Sequence, residues 1–563
     1  MESGLKTDEN ENYEQFDTNE IEERKGKRNK KNYLLSPKKF IRYILYTVLV
    51  LCLFILLSHY MKTENHTITY EVKEGDKPLS QNGNCEPGYK FVDGKCVINH
   101  SIRADYYTEE DNEKVEIIHH LPMSVEITID GQKVESNKEY IFPKKGNHTV
   151  FYLGDFSKLT TTNRMFYETK RMTFISFTPL FDSSNVVNMR SMFYECISLT
   201  SIDLSNLNTG KVNNMELLFA GCHNLVSLDL SHFDTRNVKT IANIFEDCTS
   251  LTQINFSNFV TDNVNDMSFM FFGCTALSSI DLSNFNTKQT NTMEYMFKGC
   301  TSLTSLDLSN FNTENVVSLS RMFERCTSLT SLDLSNFNTN KVTSISSMFF
   351  DCFKLRSVNL KSFNTENVIS MNGLFHGCES LTSVDISHFN TKNVVNMNIM
   401  FEGCRSLKSL DVSNFDTGNV LYMELIFNGC SSLTSLDVSH FKTDKVTSLV
   451  SMFQDCKKLK SIDVSNFNIE QVDKMKDMFN GCRSLTSIDL SKFKPKKLSR
   501  IEYMFYKCNN LRYIDISSFT PENNKYVNLM NNIPDEGVLI IKKSLYEQIK
   551  DQILDGWEIK FVD

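Results

Sequence analysis

From Cys196 onward the apolar positions of this chain recur with a single period. Cys stands at 196, 222, 248, 274, 300, 326, 352, 378, 404, 430, 456, 482 and 508, always 26 residues apart, and no insertion or deletion breaks the register across thirteen units. Phe stands three positions before each Cys, from Phe193 to Phe505, and Leu three after each, from Leu199 to Leu511. Ile, Leu or Val follows six after (Ile202, Leu306, Val358), an apolar residue eight after (Leu204, Phe256, Ile386), and Phe or Leu eleven after. Val or a similar residue holds position sixteen in most units, and Met, Leu, Ile or Val holds positions nineteen and twenty-two.

Self-similarity at a period of this length is the mark of a repeat architecture. Between Leu303 and Leu308, residues Leu306 and Leu308 share one face of a short strand, while Ser305, Asp307 and Ser309 face outward. Asn310 and Thr313 suit the turn that follows. The remainder of each unit, Val-x-x-Met/Leu-x-x-Met-Phe, predicts a helical or 3₁₀ turn with one apolar edge. No unit can bury its apolar residues alone, so the units must stack around a continuous core. The predicted fold is an α/β repeat solenoid with one short strand per 26-residue turn. At about 4.8 Å per strand, thirteen turns would span roughly 60–65 Å.

The solenoid is expected over residues 161–530. It opens on a degenerate unit, Met165-Phe166-Tyr167-Glu168-Thr169 followed by Phe174, Phe177 and Leu180, which lacks the Cys and is one residue out of register. That unit reads as a cap. Past Ile516 the pattern decays, and residues 531–563 read as strand, amphipathic helix, strand, a second cap holding the only Trp, Trp557. Exposed solenoid ends need such covers.

Upstream, residues 1–42 form a polar segment whose second half is basic, from Arg24 to Arg42. An uncharged apolar run follows at 43–61, long enough to cross a hydrocarbon core of roughly 30 Å. It is too long and too far from residue 1 for a cleavable signal peptide. The basic flank places residues 1–42 in the cytoplasm and the remainder outside, as a single-pass plasma-membrane protein. Residues 62–99 form a stalk in which Cys85 and Cys96 flank a Pro-Gly turn, the pattern of a small disulfide loop. Residues 100–160 alternate in short strands, with a hairpin turn at Asp130-Gly131, and predict a small β domain. Its His119-His120 pair reads as surface. Asn-x-Ser/Thr sequons at Asn65, Asn99, Asn147 and Asn255 are candidate glycosylation sites.

Composition narrows the chemistry. A net charge of −9 argues against a general nucleic-acid binder. The Cys column is odd in number, and thiols one strand apart are too distant for an easy disulfide, so it predicts a ladder of buried free thiols. The Met positions read as core filler. No Gly-rich phosphate loop, metalloprotease helix or nucleophile elbow is present, so no enzyme and no cofactor is expected.

The outward face is where binding is expected. Position seven after each Cys is Asp in eleven units, at Asp203, Asp229, Asp281, Asp307, Asp333, Asp385, Asp411, Asp437, Asp463, Asp489 and Asp515, and Asn in two, at Asn255 and Asn359. Stacked carboxylates about 4.8 Å apart would repel by roughly 1 kcal/mol per neighbour even in water. Ser hydroxyls and solvent can ease this, and a row of Ca²⁺ is the alternative. Variation is concentrated in the turns, at Arg236, Lys288, Lys392 and Lys442.

The unit MFKGCTSLTSLDLSNFNT, with Phe297, Cys300, Leu303, Leu306 and Leu308 in the spacing Phe-x-x-Cys-x-x-Leu-x-x-Leu-x-Leu, resembles the 26-residue repeat of BspA-like leucine-rich-repeat surface proteins of bacteria and protists. The resemblance covers roughly residues 163–530. It implies a right-handed leucine-rich-repeat coil at a cell surface and a role in adhesion or host interaction. The predicted membrane span departs from relatives that are secreted or wall-linked. The expected function is therefore non-enzymatic adhesion, or binding of an extracellular protein or glycan on another cell or matrix, through the solenoid. A structural coat without a heterologous ligand is the alternative, and no nucleic-acid partner is expected.

Overall fold

The computed structural model describes residues 89–92, 95–98, 100–120, 125–520 and 528–562, all within the unit Pro78–Asp563. The span at 43–61, Asn65, Cys85 and Asn99 lie outside the described residues. So does the Cys85–Cys96 pairing, of which only the backbone around Cys96 is described. Among the described residues no helix is long and apolar enough to cross a membrane.

Strands β1 (Tyr89–Val92) and β2 (Lys95–Ile98) form an antiparallel hairpin. Six strands follow: β3 (Ile102–Thr108), β4 (Glu113–Glu116), β5 (Glu126–Ile129), β6 (Gln132–Val134), β7 (Glu139–Phe142) and β8 (Gly146–Leu153). The expected hairpin at Asp130-Gly131 joins β5 to β6, with both residues at positive φ. Alternation along β3 buries Ile102, Ala104 and Tyr106 on one face. Tyr106 and Tyr152 both donate their hydroxyls to the Ile117 carbonyl, at 2.6 and 2.7 Å.

This small β region and the solenoid share a sheet. β9 (Met172–Phe177), from the degenerate unit, pairs antiparallel with β3 on one side. On the other side it pairs parallel with β10 (Ser201–Asp203), the strand of the first Cys unit. The open edge of the ladder is thereby covered by β3, which removes unpaired backbone groups from solvent. Thr169 takes the place of the absent Cys, its Oγ1 lying 3.2 Å from Cys196 Sγ. At the other end, β15 (Ser487–Asp489), β16 (Tyr513–Asp515), β17 (Glu536–Lys542) and β18 (Gly556–Val562) run parallel in one sheet. A short helix, α1 (Lys543–Ile549), connects β17 to β18 and buries Leu545 and Ile549. Trp557 packs there with its Nε1 donating to the Pro534 carbonyl at 2.9 Å.

Between the ends each unit is one turn of a coil. Strand pairing is regular at β11 (Ser227–Asp229) with β12 (Gln253–Asn255), and at β13 (Ser331–Asp333) with β14 (Ser357–Asn359). Elsewhere the same segment runs beside its neighbour with sparser bonding, such as Thr304 N to Ser278 O at 3.2 Å.

The back of the coil differs from expectation. The segment predicted to be helical or 3₁₀ is a run of turns, so the repeats are strand-dominated with little helix. The reason lies in two left-handed residues per turn, at five positions and one position before each Cys. Ser191 has φ 54° and Glu195 has φ 57°, and the pattern recurs through Tyr503 and Lys507. Helical propagation cannot pass such residues. Gly often holds the second position, as at Gly273 (φ +70°), where an added Cβ would run into the Asp247 carboxylate. The left-handed steps turn alternate N–H groups sideways. Met189, Ser191, Phe193 and Glu195 donate to Asn214, Glu216, Leu218 and Ala220 of the next turn at 2.7–3.0 Å. The intervening residues close local turns, as Met192 N does on Met189 O at 3.2 Å. Backbone polarity on this side is thus satisfied between turns.

Inside, the periodic residues stack like on like. The Phe column runs from Phe166 to Phe505 in near-parallel rings, with centroid spacings from 5.4 Å at Phe271–Phe297 to 6.2 Å at Phe479–Phe505. All thirteen column thiols are buried and free. Each repeats one bond: Cys300 Sγ donates to Phe271 O and Cys352 Sγ to Phe323 O, both at 3.1 Å. Burial pushes the thiols from Cys222 to Cys508 up, Cys300, Cys456 and Cys508 to about 12, because the thiolate would have no solvent. Met189, Met215 and Met371 and their equivalents fill the same core.

Candidate functional site

The strand ladder presents Ser, an apolar residue and Asp on each turn. Ten of the eleven ladder aspartates, from Asp203 to Asp489, are exposed. Asp515 is not: β17 stacks against its strand and leaves it 8% exposed, which removes it from the expected binding face.

Each carboxylate is already engaged by its own chain. Asp307 Oδ1 accepts the Ser309 N–H at 3.0 Å, Asp411 the Ser413 N–H at 2.9 Å, and Asp489 the Ser491 N–H at 2.8 Å. At Asp385 and Asp437 the Ser hydroxyl two residues on donates as well, at 2.7 Å. These bonds hold the carboxyls of Asp281, Asp307, Asp333, Asp385, Asp411 and Asp437 below their ordinary range. At Asp229, burial pushes the other way and the Ser231 bonds prevail. These bonds favour the charged form of those seven carboxyls, and crowding along the ladder is relieved by donors that also close the turn. Asn255 adds a lateral link, donating from Nδ2 to Asp229 Oδ1 at 3.0 Å. Among the described residues no group of three or more His, Cys, Asp or Glu is arranged to hold a metal ion.

Over three consecutive turns the face forms an open trough of about 640 Å³, lined by Ser409, Leu410, Asp411, Ser435, Leu436, Asp437, Ser461, Ile462 and Asp463. It is polar at its rims and shows part of the Leu and Ile row at its floor. The turn residues Arg236, Lys288, Lys392 and Lys442 are exposed beside the ladder. Arg236 pairs with Asp234 at 2.7 Å and Lys442 lies 3.8 Å from Asp416.

The other predicted positions are dispersed. Asn147 is exposed on β8, whereas the Asn255 amide nitrogen is occupied by the ladder. His119 is half-buried, with Nδ1 2.7 Å from Glu116 Oε1 and its ring against Tyr167, and His120 is exposed.

Sequence reasoning missed a buried Thr column. Thr stands thirteen after Cys in the first ten units. Thr287 Oγ1 donates to Asn312 O and accepts the Asn312 N–H, both at 2.8 Å, and the pair recurs at Thr209, Thr261 and Thr365. The signal was the fixed spacing of Thr. An Asn row was missed as well: Asn315 Nδ2 donates to Lys288 O and Asn419 Nδ2 to Lys392 O, both at 2.8 Å. These rows bolt the turn edge that carries the variable lysines.

Fold and face together define a repeat solenoid of leucine-rich-repeat-like character. The family model described as "Mycoplasma protein of unknown function, DUF285" matches four overlapping stretches, residues 160–280, 243–358, 344–459 and 426–534, and the chain belongs to that family. No curated protein matches it. Solved structures similar to the chain include a T. pallidum leucine-rich-repeat protein at 19% identity, over 42% of this chain and 84% of that one. A complex of TLR13 with ssRNA13 aligns at 14% identity, over 67% and 68%. The pneumococcal vaccine antigen PcpA aligns at 12%, over 69% and 83%. All three have a TM-score of 0.18.

Proposed function

We propose that this protein is a non-enzymatic cell-surface protein that binds a protein or glycan through its solenoid, anchored by one membrane span at residues 43–61. The observation that carries this reading is the exposed Ser–x–Asp face, repeated in register over successive turns with its carboxylates preorganised by the following Ser. A rigid array of acceptors and hydroxyls loses little entropy when a ligand docks. The resemblance of the repeat to BspA-like surface proteins supports an adhesive role.

A labelled 63–563 fragment applied to a panel of cells and matrix proteins tests the reading, with a scrambled-turn variant as control. Saturable binding that the variant loses is expected. A folded fragment that binds nothing would leave the second reading, a structural coat, which the uniformity of the face favours.

A further inference from the structure

Charge is unevenly spread along the repeats. Between residues 457 and 512 stand thirteen Lys or Arg and only six Asp or Glu, in a chain of net charge −9. Lys474, Lys476 and Arg500 lie on the back of the coil, and the other cations flank the strand ladder on two sides. On the side reached after each strand, Lys496 Nζ is held by Glu470 Oε2 at 2.7 Å and Lys497 Nζ by Gln471 Oε1 at 2.6 Å. On the side that leads into each strand, Lys458, Lys460 and Arg483 are exposed and make no ion pair among the described residues. Lys507 lies there as well, over the Tyr506 ring at 5.1 Å.

These four groups come from three successive turns held in register. Thr486 N donates to Lys460 O at 3.4 Å, and Asn510 Nδ2 to Arg483 O at 2.7 Å. At about 4.8 Å per turn, groups on adjacent turns fall within one Debye length of roughly 8 Å, so the potentials of neighbours add along the strip. Acidic groups beside these cations are Asp455, which takes Lys457 at 3.6 Å, Glu536, which takes Arg512 at 2.5 Å, and Asp535, and the ladder's Asp463 and Asp489 follow Lys460 and Arg483 on the same turns. Arg483 and Lys507 also line a cleft of about 540 Å³ at the junction with the cap, together with Asn509, Asn532 and Asp535.

We propose that this strip and its cleft bind a linear anionic glycan carrying sulfate or carboxylate groups. The proposal rests on the surface-binding reading above and names its partner chemistry. Guanidinium and ammonium groups form strong charge-assisted bonds to such anions, and the two Asn amides match sugar hydroxyls. A protein partner would need a buried apolar anchor, for which the cleft offers only Ile533 and Pro534. A single-stranded nucleic acid would use stacking platforms, and Lys507 covers Tyr506.

The test uses the full chain in neutral detergent and fluorescent dextran sulfate at physiological salt, with neutral dextran and polyglutamate in parallel. Dextran sulfate is expected to bind and neutral dextran not. The combined Lys458→Gln, Lys460→Gln, Arg483→Gln and Lys507→Gln variant should weaken binding at least tenfold. Lys492→Gln, Lys494→Gln, Lys496→Gln and Lys497→Gln together remove the same charge from the other side and should change it less than twofold. Arg483→Gln alone, an exposed change, should weaken it at least threefold if the combined variant misfolds. Equal losses on both sides, no binding, or tighter binding of polyglutamate would each overturn the proposal. Cell binding separates it from the broader reading. Strip-specific dextran sulfate binding without cell binding sinks adhesion and keeps the strip. Cell binding unchanged in the strip variant keeps adhesion and sinks the strip as its partner site.

Discussion

In the first ten units a single buried hydroxyl joins each turn to the next along the edge that follows the strand. Thr287 Oγ1 donates to and accepts from Asn312 of the following turn, both at 2.8 Å. Val has nearly the same shape and no polar atom. Thr287→Val therefore leaves a buried N–H and a buried carbonyl without partners, and should cost about 1–3 kcal/mol in urea unfolding. Asp307→Asn keeps an acceptor for the Ser309 N–H and, at an exposed site, should fall within about 0.5 kcal/mol of the parent. If the two changes cost the same, the Thr column is not what holds the turns together.

At the scale of the element, the unit is exchangeable because every lateral bond is repeated at an offset near 26 residues. Removing residues 301–326 joins Cys300 to Thr327, and Phe, Cys, Leu and Thr stay in their columns. Each repeat is a nearest-neighbour module, so this shortened chain should fold with the same circular-dichroism signal per residue. Removing only residues 301–313 displaces every later Phe and Leu by half a turn and should give an aggregating protein. Equal solubility and ellipticity for both deletions would contradict register as the organising constraint.

For the whole molecule, acid is the informative variable. The ladder carboxyls at Asp281, Asp307, Asp333, Asp385, Asp411 and Asp437 sit below their ordinary range in the folded state. Their contribution is full above the unfolded value, about 3.9, and is lost as pH falls through the lower folded values. Glu246 and Asp247 act in the opposite sense, because burial raises both. Stability is gained as pH falls through their raised values, where the folded state takes up protons first. Melting temperature should thus hold from neutral to mildly acidic pH and drop below about pH 4. Glu246→Gln should raise it at pH 7, with the gain vanishing in acid. A Glu246→Gln gain that persists in acid would show that its burial is not the cause.

The 26-residue period, the apolar columns, the stacked core and the outward Asp row were all legible in the sequence, because each recurs in eleven to thirteen units and so stands above local noise. The free thiols followed from the same regularity. The course of the back was not legible. Met and Phe at spacings of three fit a helical edge, but lateral hydrogen bonding between turns favours left-handed steps at Ser191 and Glu195 and their equivalents. That gain exists only once a second turn lies alongside. The shared sheet of β3, β9 and β10 was hidden for a similar reason, since antiparallel pairing with β3 depends on contacts made across the chain and not on any periodicity. Which lysines of the basic belt stay unpaired was likewise decided by tertiary placement. Lys496 meets Glu470 from the preceding turn and Lys460 meets no acid among the described residues, because a side chain's neighbours on a coil are those one turn away. Sequence patterning determined what must be inside; stacking decided which backbone shape satisfies the outside.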